Sequence, residues 1–432
     1  MDRRDVLRGG GALVGGALAL GSGATAGATA VAAQRGRPAS EPGRRSDAWI
    51  GVDVANLTSN FNLVKERAGG RPVMAVVKAD GYGHGIVPVA QTLARAGADA
   101  FMVANTQEAV ALRLAEVTQP ILNFGPMFGG AELLIEYDIQ QMVDSRESIS
   151  GLVASAAQNR AAVTVQVHID TGLGRMGVPW REAGDLLTYL GGRSRIKIAG
   201  VSTVFTEDSE YDQVQLTRFV EACEAARAEG IEIGAMHAAS SAAVLAMPTA
   251  HLDMVRPGIL LYGYYPSAGA RDAEPELGLK PVLGLRARVA QVKTLQQGES
   301  IGYHRVHVAP QEETIAVLPI GYSDGYPSAA VLGGGHVWLG GARCPFVGEM
   351  SSNHCMVRVP DDVQVSSGDF AVMIATGSEP SFFGAPPAEG SDPWAGPPSA
   401  AMVAQWADVS VYRVLIGLNP QIPRTFEGAR RR

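Results

Sequence analysis

Between residues 47 and 283, short apolar runs alternate with amphipathic helical patterns, and this alternation most limits the folds open to the chain. A strand–helix repeat predicts a parallel sheet, because parallel strands need a crossover between them. About eight such steps are enough to close the sheet into a barrel. The predicted strands are 73–77, 101–104, 120–123, 140–143, 163–169, 198–203, 234–237 and 254–261; the predicted helices are 55–68, 88–96, 106–116, 129–137, 147–158, 179–190, 210–229 and 240–246. We therefore expect an α/β fold, a (β/α)8 barrel, over residues 47–283.

The pattern changes after residue 283. Segments 283–296, 313–326, 335–350 and 353–360 alternate apolar and polar residues and are separated by Gly and Pro. Such alternation is typical of antiparallel strands, so residues 284–432 are predicted to form a β domain, a small barrel or sandwich. The Gly- and Pro-rich segment 377–399 is predicted to be a long loop.

The N-terminal segment predicts transport. Arg3 and Arg4 precede a weakly apolar run from residue 9 to 20, and an alanine-rich stretch ends at Ala33. This is the pattern of a twin-arginine export signal over residues 1–33, followed by a linker over 34–46. The alternative, a membrane anchor, is disfavoured because the run is short and rich in glycine. We expect an exported protein with no membrane span in its mature form.

Composition excludes several classes of partner. The net charge is −7 and no long basic stretch occurs, which argues against binding of nucleic acid. The three cysteines are scattered, and no Cys/His group has the spacing of a zinc site. We expect neither a disulfide framework nor a metal.

The segment VMAVVKADGYGHG, residues 73–85, places Lys78 at the end of a buried strand, before a glycine-rich turn. A lysine there loses hydration unless it has a partner or a chemical role. One such role is a Schiff base with an aldehyde cofactor; the alternative is a lysine that extends to solvent from the strand end. These residues alone leave both open.

Other polar residues follow other predicted strands. Arg175 lies in DTGLGRMG, His237 precedes a small-residue run, and Arg256 begins RPGI. In a barrel these residues share the rim formed by the carboxyl ends of the strands. Ser241, with the backbone N–H groups of Gly258 and Ile259, suits an anion. A phosphate-bearing aldehyde beside a lysine suggests pyridoxal 5'-phosphate.

The chain closely resembles the alanine racemase family. The matching motifs are AVVKADGYGHG, DTGLGRMG, HAASSAA, LDMVRPGILLYG, IGYHR and PIGYSDGYP, in family order and spread over the chain after the signal. The resemblance implies a barrel followed by a β domain, a homodimer with shared active sites, and pyridoxal phosphate as cofactor. It also implies two bases: Lys78, which holds the cofactor, and Tyr303 of the partner subunit. Inversion requires bases on opposite faces of the reacting carbon.

Other roles follow from the resemblance, position by position. Residues matched to contacts of the cofactor phosphate are Tyr82, Ser241, Gly258 and Ile259. Arg256 matches an arginine beside the pyridine nitrogen. Arg175, Tyr322 and Ser352 match residues that line the substrate site.

Several positions depart from the family pattern. His168 stands where a carbamylated lysine is common, so Arg175 must be oriented in another way. Val204 replaces a histidine that bonds the pyridine-side arginine. Ser352 and Asn353 replace a Met-Asp pair, which would widen the pocket, and Trp406 is taken to replace a tyrosine that contacts the phosphate.

The leading prediction is a racemase that interconverts L- and D-alanine. The alternatives are a broad-specificity racemase acting on Ser, Lys or Arg, and a homologue that has lost activity. A decarboxylase or an aldolase on the same barrel is disfavoured, because such enzymes lack the tyrosine that IGYHR places at Tyr303.

Overall fold

The structure, a computed structural model, describes residues 46–377 and 396–428. The predicted signal (1–33), most of the linker (34–46) and most of the predicted loop (377–399) lie outside the described residues.

The first half of the described chain forms a closed barrel of parallel strands, as predicted. In sheet order the strands are Met74–Val76, Ala100–Val103, Ile121–Asn123, Gln140–Val143, Val163–Asp170, Ile196–Ser202 and Ala235–His237, and Val178–Pro179 pairs with Val163–Asp170. The buried residues of these strands are mostly Val, Ile, Leu, Met, Phe and Ala, which suits a sheet covered on both faces.

The prediction of an eighth strand over residues 254–261 is wrong. Only Val255 pairs there, in a parallel bridge with Val73, and the chain then turns into a short 3₁₀ helix, Ile259–Tyr262. The bridge still closes the barrel, because Met74 N–H donates to Val255 O at 2.9 Å and Val76 N–H donates to Pro257 O at 3.0 Å. Proline at 257 has no N–H to continue a strand ladder.

Helices cover the outside of the barrel. They are Val54–Arg67, Ile86–Ala96, Thr106–Leu114, Ala131–Glu136, Arg146–Gln158, Ala183–Gly191, Ser209–Ala228 and Ser241–Ala246, within a few residues of the predicted ones. Their starts are set by side chains: Asp53, for example, accepts from Ala55 N–H and Asn56 N–H at 2.9 Å. The apolar face of that helix, Leu57, Phe61 and Val64, is fully buried.

The second region is a nine-stranded, mostly antiparallel sheet, here called the β-domain sheet. Its strands, in sheet order, are Gln291–Leu295, Glu313–Leu318, Cys355–Val359, Ala342–Val347, His336–Leu339, Phe370–Ile374, Leu283–Arg288, Ala48–Asp53 and Arg424–Glu427. Helix Ala268–Ala273 lies in the segment that connects the two regions. The helices that follow are Ser328–Leu332, Ala400–Trp406 and Val411–Gly417. A separate hairpin pairs Ser300–Ile301 with His307–Val308.

The domain division at residue 283 remains a prediction, and one strand crosses it. Ala48–Asp53 precedes the first barrel helix but pairs antiparallel with Leu283–Arg288 and parallel with Arg424–Glu427. The chain thus begins its described part in the β-domain sheet and enters the barrel through the helix that follows. The strand is held in the β-domain sheet by main-chain hydrogen bonds and is joined to the barrel by the covalent chain at Asp53.

Candidate active site

A cavity of about 380 Å³ opens where the barrel strands end. Seven of the residues singled out from the sequence line it: Lys78, Tyr82, Arg175, Ser241, Arg256, Gly258 and Ile259. They follow three barrel strands and the Val255 bridge, at the end of the barrel where functional groups gather in this architecture. The predicted rim therefore exists as one cavity.

Lys78 is followed by an unusual turn. Ala79, Asp80, Gly81, Tyr82 and Gly83 all have positive φ, between 53° and 82°, so the chain forms a left-handed helical turn. That conformation costs about 1–2 kcal/mol for each residue with a Cβ. Strain of this kind persists only where the surroundings impose it, and it concentrates at functional sites. The turn sends Lys78 and Tyr82 into the same cavity.

The surroundings of Lys78 favour the neutral amine. Burial by the cavity walls and the positive charge of Arg175 lower the pKa of Lys78, and Glu108 partly opposes them. Glu108 is itself held by Asp80 N–H at 3.2 Å and Ala104 N–H at 2.9 Å. A lysine with a lowered pKa is a better base and nucleophile near neutral pH.

Tyr82 occupies a tightly packed position. Its ring stacks on that of Tyr262, with centroids 4.7 Å apart. A Cβ added at Gly258 would lie 2.5 Å from the Tyr82 hydroxyl oxygen, so glycine is needed there for the tyrosine to reach its place. Burial raises the pKa of Tyr82, which keeps the hydroxyl protonated and able to donate.

Ser241 and Gly258 contact each other directly. Gly258 N–H donates to Ser241 Oγ at 2.9 Å, and Leu260 N–H approaches the same oxygen at 3.4 Å. The Gly258 N–H that the sequence assigned to an anion is therefore bonded to protein. The Ser241 hydroxyl keeps its own hydrogen to donate, and the first N–H groups of the helix that begins at Ser241 have no acceptor within that helix.

Arg256 lines the cavity, and most of its N–H groups are hydrogen-bonded. Its Nη1 contacts His237 Nδ1 at 2.7 Å and also donates to His237 O; its Nη2 donates to Thr203 O at 2.7 Å and to Ala238 O at 3.2 Å. A guanidinium has five N–H groups. Within the described part of the chain these bonds leave the Nε–H for an acceptor in the cavity.

Two of the departures have clear structural outcomes. Val204 lines the cavity and offers Arg256 no side-chain acceptor, and His237 supplies one. His168 is buried beneath the site, where its Nδ1 lies 3.1 Å from Ser202 Oγ. Burial and the charge of Arg256 lower the pKa of His168 to about 4, so it is neutral. The Arg175 guanidinium makes no hydrogen bond to the residues that the structure describes.

Tyr303, Tyr322 and Ser352 do not line this cavity. They lie on the β domain, and Tyr303 and Tyr322 are 71% and 58% exposed. Local contacts join their loops: Tyr322 N–H donates to Ser351 O at 3.2 Å, and His304 Nδ1 lies 3.5 Å from Glu349 Oε2. We call these three residues the tyrosine face. Tyrosine is among the residue types that are enriched at interfaces between protein chains.

The sequence reasoning missed two titratable residues of the cavity lining, Tyr412 and Glu207. Tyr412 lies with its ring centroid 6.0 Å from that of Tyr82, and burial together with Glu207 raises the pKa of Tyr412 to about 12. Trp406 is not a lining residue; its ring lies 4.9 Å from His336. The expectation that a tryptophan takes the place of a site tyrosine is therefore wrong, since Tyr412 supplies the hydroxyl. No local pattern distinguishes Tyr412, because helix Val411–Gly417 reaches the cavity only through tertiary packing.

Among the described residues, no group of three or more His, Cys, Asp or Glu is placed to hold a metal ion. No helix in the same part of the chain has the length and apolar character needed to cross a bilayer.

Comparison with known proteins identifies close relatives of both regions. Residues 52–266 match the family model for the alanine racemase N-terminal domain, and residues 282–426 match that for the C-terminal domain. The chain is 34% identical to an alanine racemase of Halothermothrix orenii over 385 residues, 88% of this chain and 96% of that protein. It is 36% identical to one of Desulfovibrio desulfuricans over 329 residues, 74% and 87% of the two chains.

Solved structures agree with the sequence comparison. The fold is similar to that of alanine racemase from D-cycloserine-producing Streptomyces lavendulae, with a TM-score of 0.80 at 28% identity, over 89% of this chain and 97% of that one. Alanine racemase from Streptomyces coelicolor A3(2) gives a TM-score of 0.79 at 30% identity, over 88% and 98%.

Proposed function

The chain belongs to the alanine racemase family and is an amino-acid racemase, and on that premise we propose that it interconverts L- and D-alanine with pyridoxal phosphate by a two-base mechanism. The observation that carries the proposal is the single cavity that gathers Lys78, Tyr82, Ser241 and Arg256. An amine with a lowered pKa stands in it together with hydroxyl donors and a cation.

The residues of the cavity fit pyridoxal phosphate. Lys78 supplies the amine for the aldehyde, and Arg256 directs its remaining N–H toward the cavity as a donor for the pyridine nitrogen. Tyr82, Tyr412 and the Ser241 hydroxyl are neutral donors suited to a phosphate. The glycine at 258 leaves room that a Cβ would fill. When bound, the cofactor supplies an electron sink that makes the Cα–H bond of an amino acid acidic.

Each remaining task falls to a residue of this chain. Arg175, which has no protein partner among the described residues, binds the substrate carboxylate. Lys78 Nζ takes or returns the α-proton on one face of the substrate. The proton on the other face is handled by the hydroxyl of Tyr303 of the partner subunit, because Tyr303 does not line the cavity of its own chain. We infer a homodimer in which the tyrosine face of each subunit covers the cavity of the other.

Racemisation of alanine by the purified protein with added pyridoxal phosphate tests the activity. We expect conversion of L-alanine to an equimolar mixture, and loss of that conversion in Lys78→Ala. Absence of turnover in the cofactor-loaded wild type would reject the proposal.

Exchange of the α-hydrogen with solvent tests whether Lys78 and Tyr303 act on opposite faces of the substrate. In deuterated water, Tyr303→Phe should still exchange the α-hydrogen of one enantiomer while racemisation falls by at least about 10²-fold, since removal of a general acid–base group costs about 10²–10⁴. Tyr189→Phe, on the barrel helix Ala183–Gly191 and outside both the cavity lining and the tyrosine face, serves as the matched control and should retain inversion. Exchange and inversion that fall together for both enantiomers would contradict the two-base assignment.

A second candidate function, broad specificity that includes basic amino acids, is favoured by Glu207. Its carboxylate and the Arg175 guanidinium both line the cavity, and no ion pair joins them. A cavity with separated positive and negative groups suits a substrate that carries a carboxylate and a second amine. Neighbouring Asp208 and Asp212 are engaged as acceptors, from Tyr211 N–H at 3.0 Å and Thr206 N–H at 3.0 Å. Glu207 makes no hydrogen bond to the described residues.

Comparison of substrates tests this second function. We expect turnover of L-lysine and L-arginine by the wild type. Glu207→Gln should lower kcat/KM for lysine relative to alanine by about tenfold, the value of one charge-assisted hydrogen bond. Glu210→Gln, an acid of the same segment outside the cavity lining, is the control. A wild type active on alanine alone rejects broad specificity and leaves the alanine activity standing.

A further inference from the structure

A directional chain of hydrogen bonds runs inside the barrel from Arg256. The chain begins at Arg256 Nη1, which lies 2.7 Å from His237 Nδ1, and continues from His237 Nε2 to Gln166 Oε1 at 2.7 Å. Gln166 Nε2 then donates to Gln140 Oε1 at 2.6 Å. Arg256, His237 and Gln166 are all at least 95% buried, so this chain of hydrogen bonds is shielded from bulk solvent.

The chemistry of the first donor sets the direction of the chain. A guanidinium has no acceptor, so the hydrogen bond between Arg256 Nη1 and His237 Nδ1 forms only when Nδ1 carries no hydrogen. The neutral imidazole therefore has its hydrogen on Nε2, which donates to the Gln166 carbonyl oxygen. Burial and the charge of Arg256 lower the pKa of His237, which agrees with the neutral form. The reversed amide of Gln166 would place two donors against each other.

We propose that Gln166 is a positioning residue: its carbonyl oxygen holds His237 in the Nε2–H tautomer and so keeps the Nδ1 acceptor that orients Arg256. The other acceptors of Arg256 are backbone carbonyls, which cannot change their hydrogen-bonding role. His237 is the one side-chain partner of Arg256 among the described residues, and it is the one that could switch from acceptor to donor. Gln166 removes that freedom.

The local pattern explains why position 166 can do this. In the strand Val163–Asp170 the valines and Ile169 alternate with polar residues, and successive side chains of a strand point to opposite faces. Gln166 and His168 therefore share the barrel interior. Only Gln166 contacts His237, since His168 Nδ1 is directed to Ser202. Val204 is apolar, and among the described residues no side chain other than Gln166 and Arg256 hydrogen-bonds His237.

The expected effect on catalysis rests on the proposed function, in which the Arg256 Nε–H donates to the pyridine nitrogen. The assignment of the His237 tautomer is independent of that function. A wrong tautomer would set His237 Nδ1–H against Arg256 Nη1–H and displace the guanidinium from the cavity wall. The expected consequence is weaker cofactor binding rather than loss of the chemical groups that move the proton.

Nitrogen-15 NMR of histidine-labelled protein, with and without pyridoxal phosphate, tests the tautomer directly. We expect wild-type His237 to show hydrogen on Nε2 and an accepting Nδ1 in both forms. Gln166→Met, which keeps the side-chain length but removes the acceptor, should give a mixture of tautomers and weaken cofactor binding by about tenfold, one lost buried hydrogen bond. Gln166→Glu keeps an acceptor and should keep the wild-type tautomer.

Gln140→Met is the matched control, because it removes the next bond of the chain and leaves Gln166 Oε1 in place. It should leave the tautomer of His237 unchanged. A wild-type His237 with hydrogen on Nδ1, or a Gln166→Met protein with unchanged tautomer and cofactor affinity, would overturn the proposal. If Gln166→Met does not fold, the spectra of the wild type and of Gln166→Glu test the proposal. Hydrogen on His237 Nδ1 in either protein would overturn it. A confirmed tautomer in a protein that does not racemise alanine would reject the proposed function alone.

Discussion

Arg256 Nη1 lies 2.7 Å from His237 Nδ1, in a part of the barrel where both residues are at least 95% buried. This contact joins a cation of the cavity wall to the last residue of the strand Ala235–His237. Burial lowers the pKa of Arg256 to about 10, which still leaves the guanidinium charged at neutral pH. The position therefore presents a fixed positive charge whose orientation depends on the surrounding acceptors.

Replacement of Arg256 by lysine should be strongly destabilising. An ammonium cannot reproduce the planar fork that satisfies His237, Thr203 O and Ala238 O together. We expect Arg256→Lys to lower the free energy of unfolding by about 2–4 kcal/mol, since each buried acceptor left unpaired costs ~1–3 kcal/mol. Urea unfolding of the cofactor-free protein measures this. Arg271→Lys, at an exposed position, is the control; equal stabilities would contradict the bonding described above.

Addition of a methyl group at Gly258 should weaken cofactor binding. The new Cβ would lie 2.5 Å from the Tyr82 hydroxyl oxygen, so the ring has to move away from the cavity. Gly258→Ala should raise the dissociation constant of pyridoxal phosphate by about tenfold, within the ~1–3 kcal/mol that overpacking costs. Gly184→Ala lies on a helix with open space around it and should bind the cofactor as the wild type does. Unchanged affinity in Gly258→Ala would mean that Tyr82 takes no part in binding.

Stability should fall in mild acid because of buried neutral histidines. Burial lowers the pKa of His84 and of His168 to about 4, below the value near 6.5 of an exposed histidine. Between these values the unfolded chain binds more protons than the folded one, so stability is full above about pH 6.5 and is lost as the pH falls toward 4. We expect the free energy of unfolding to drop by up to about 3 kcal/mol for each histidine over this interval.

Variants separate this effect from general acid denaturation. His168→Asn should flatten the dependence between pH 6.5 and 4, whereas His304→Asn, at an exposed position, should leave it unchanged. Urea unfolding at a series of pH values is the measurement. Parallel curves for the wild type and His168→Asn would show that His168 is not a buried neutral group.

Export remains a proposal that rests on Arg3 and Arg4. Twin-arginine transport requires the pair itself, so replacement of both arginines by lysine should retain the protein inside a host cell that has this pathway. Arg8→Lys, outside the pair, keeps the same charge and should not change export. Cell fractionation followed by immunoblotting distinguishes the cases, and export of the double variant would exclude the twin-arginine route.

The sequence by itself determined the barrel, the β domain and the rim residues. Apolar runs separated by helical patterns have few ways to bury both faces of a sheet, and residues that follow parallel strands must meet at one end of it. For this reason the sequence predicts that Lys78, Arg175, Ser241 and Arg256 lie together. The alternation of apolar and polar residues in Val163–Asp170 also indicates that Gln166 shares a face with His168. A reading of the strand by its apolar content alone does not show this.

Only the tertiary structure decided which distant segments complete the site. Tyr412 reaches the cavity from a helix of the β domain, and Val255 closes the barrel with a single bridge where a full strand was expected. The left-handed turn after Lys78 and the tautomer of His237 likewise depend on contacts between residues far apart in sequence. Local patterns report which faces are buried; they do not report which partner covers each face, because that depends on how all the elements pack at once.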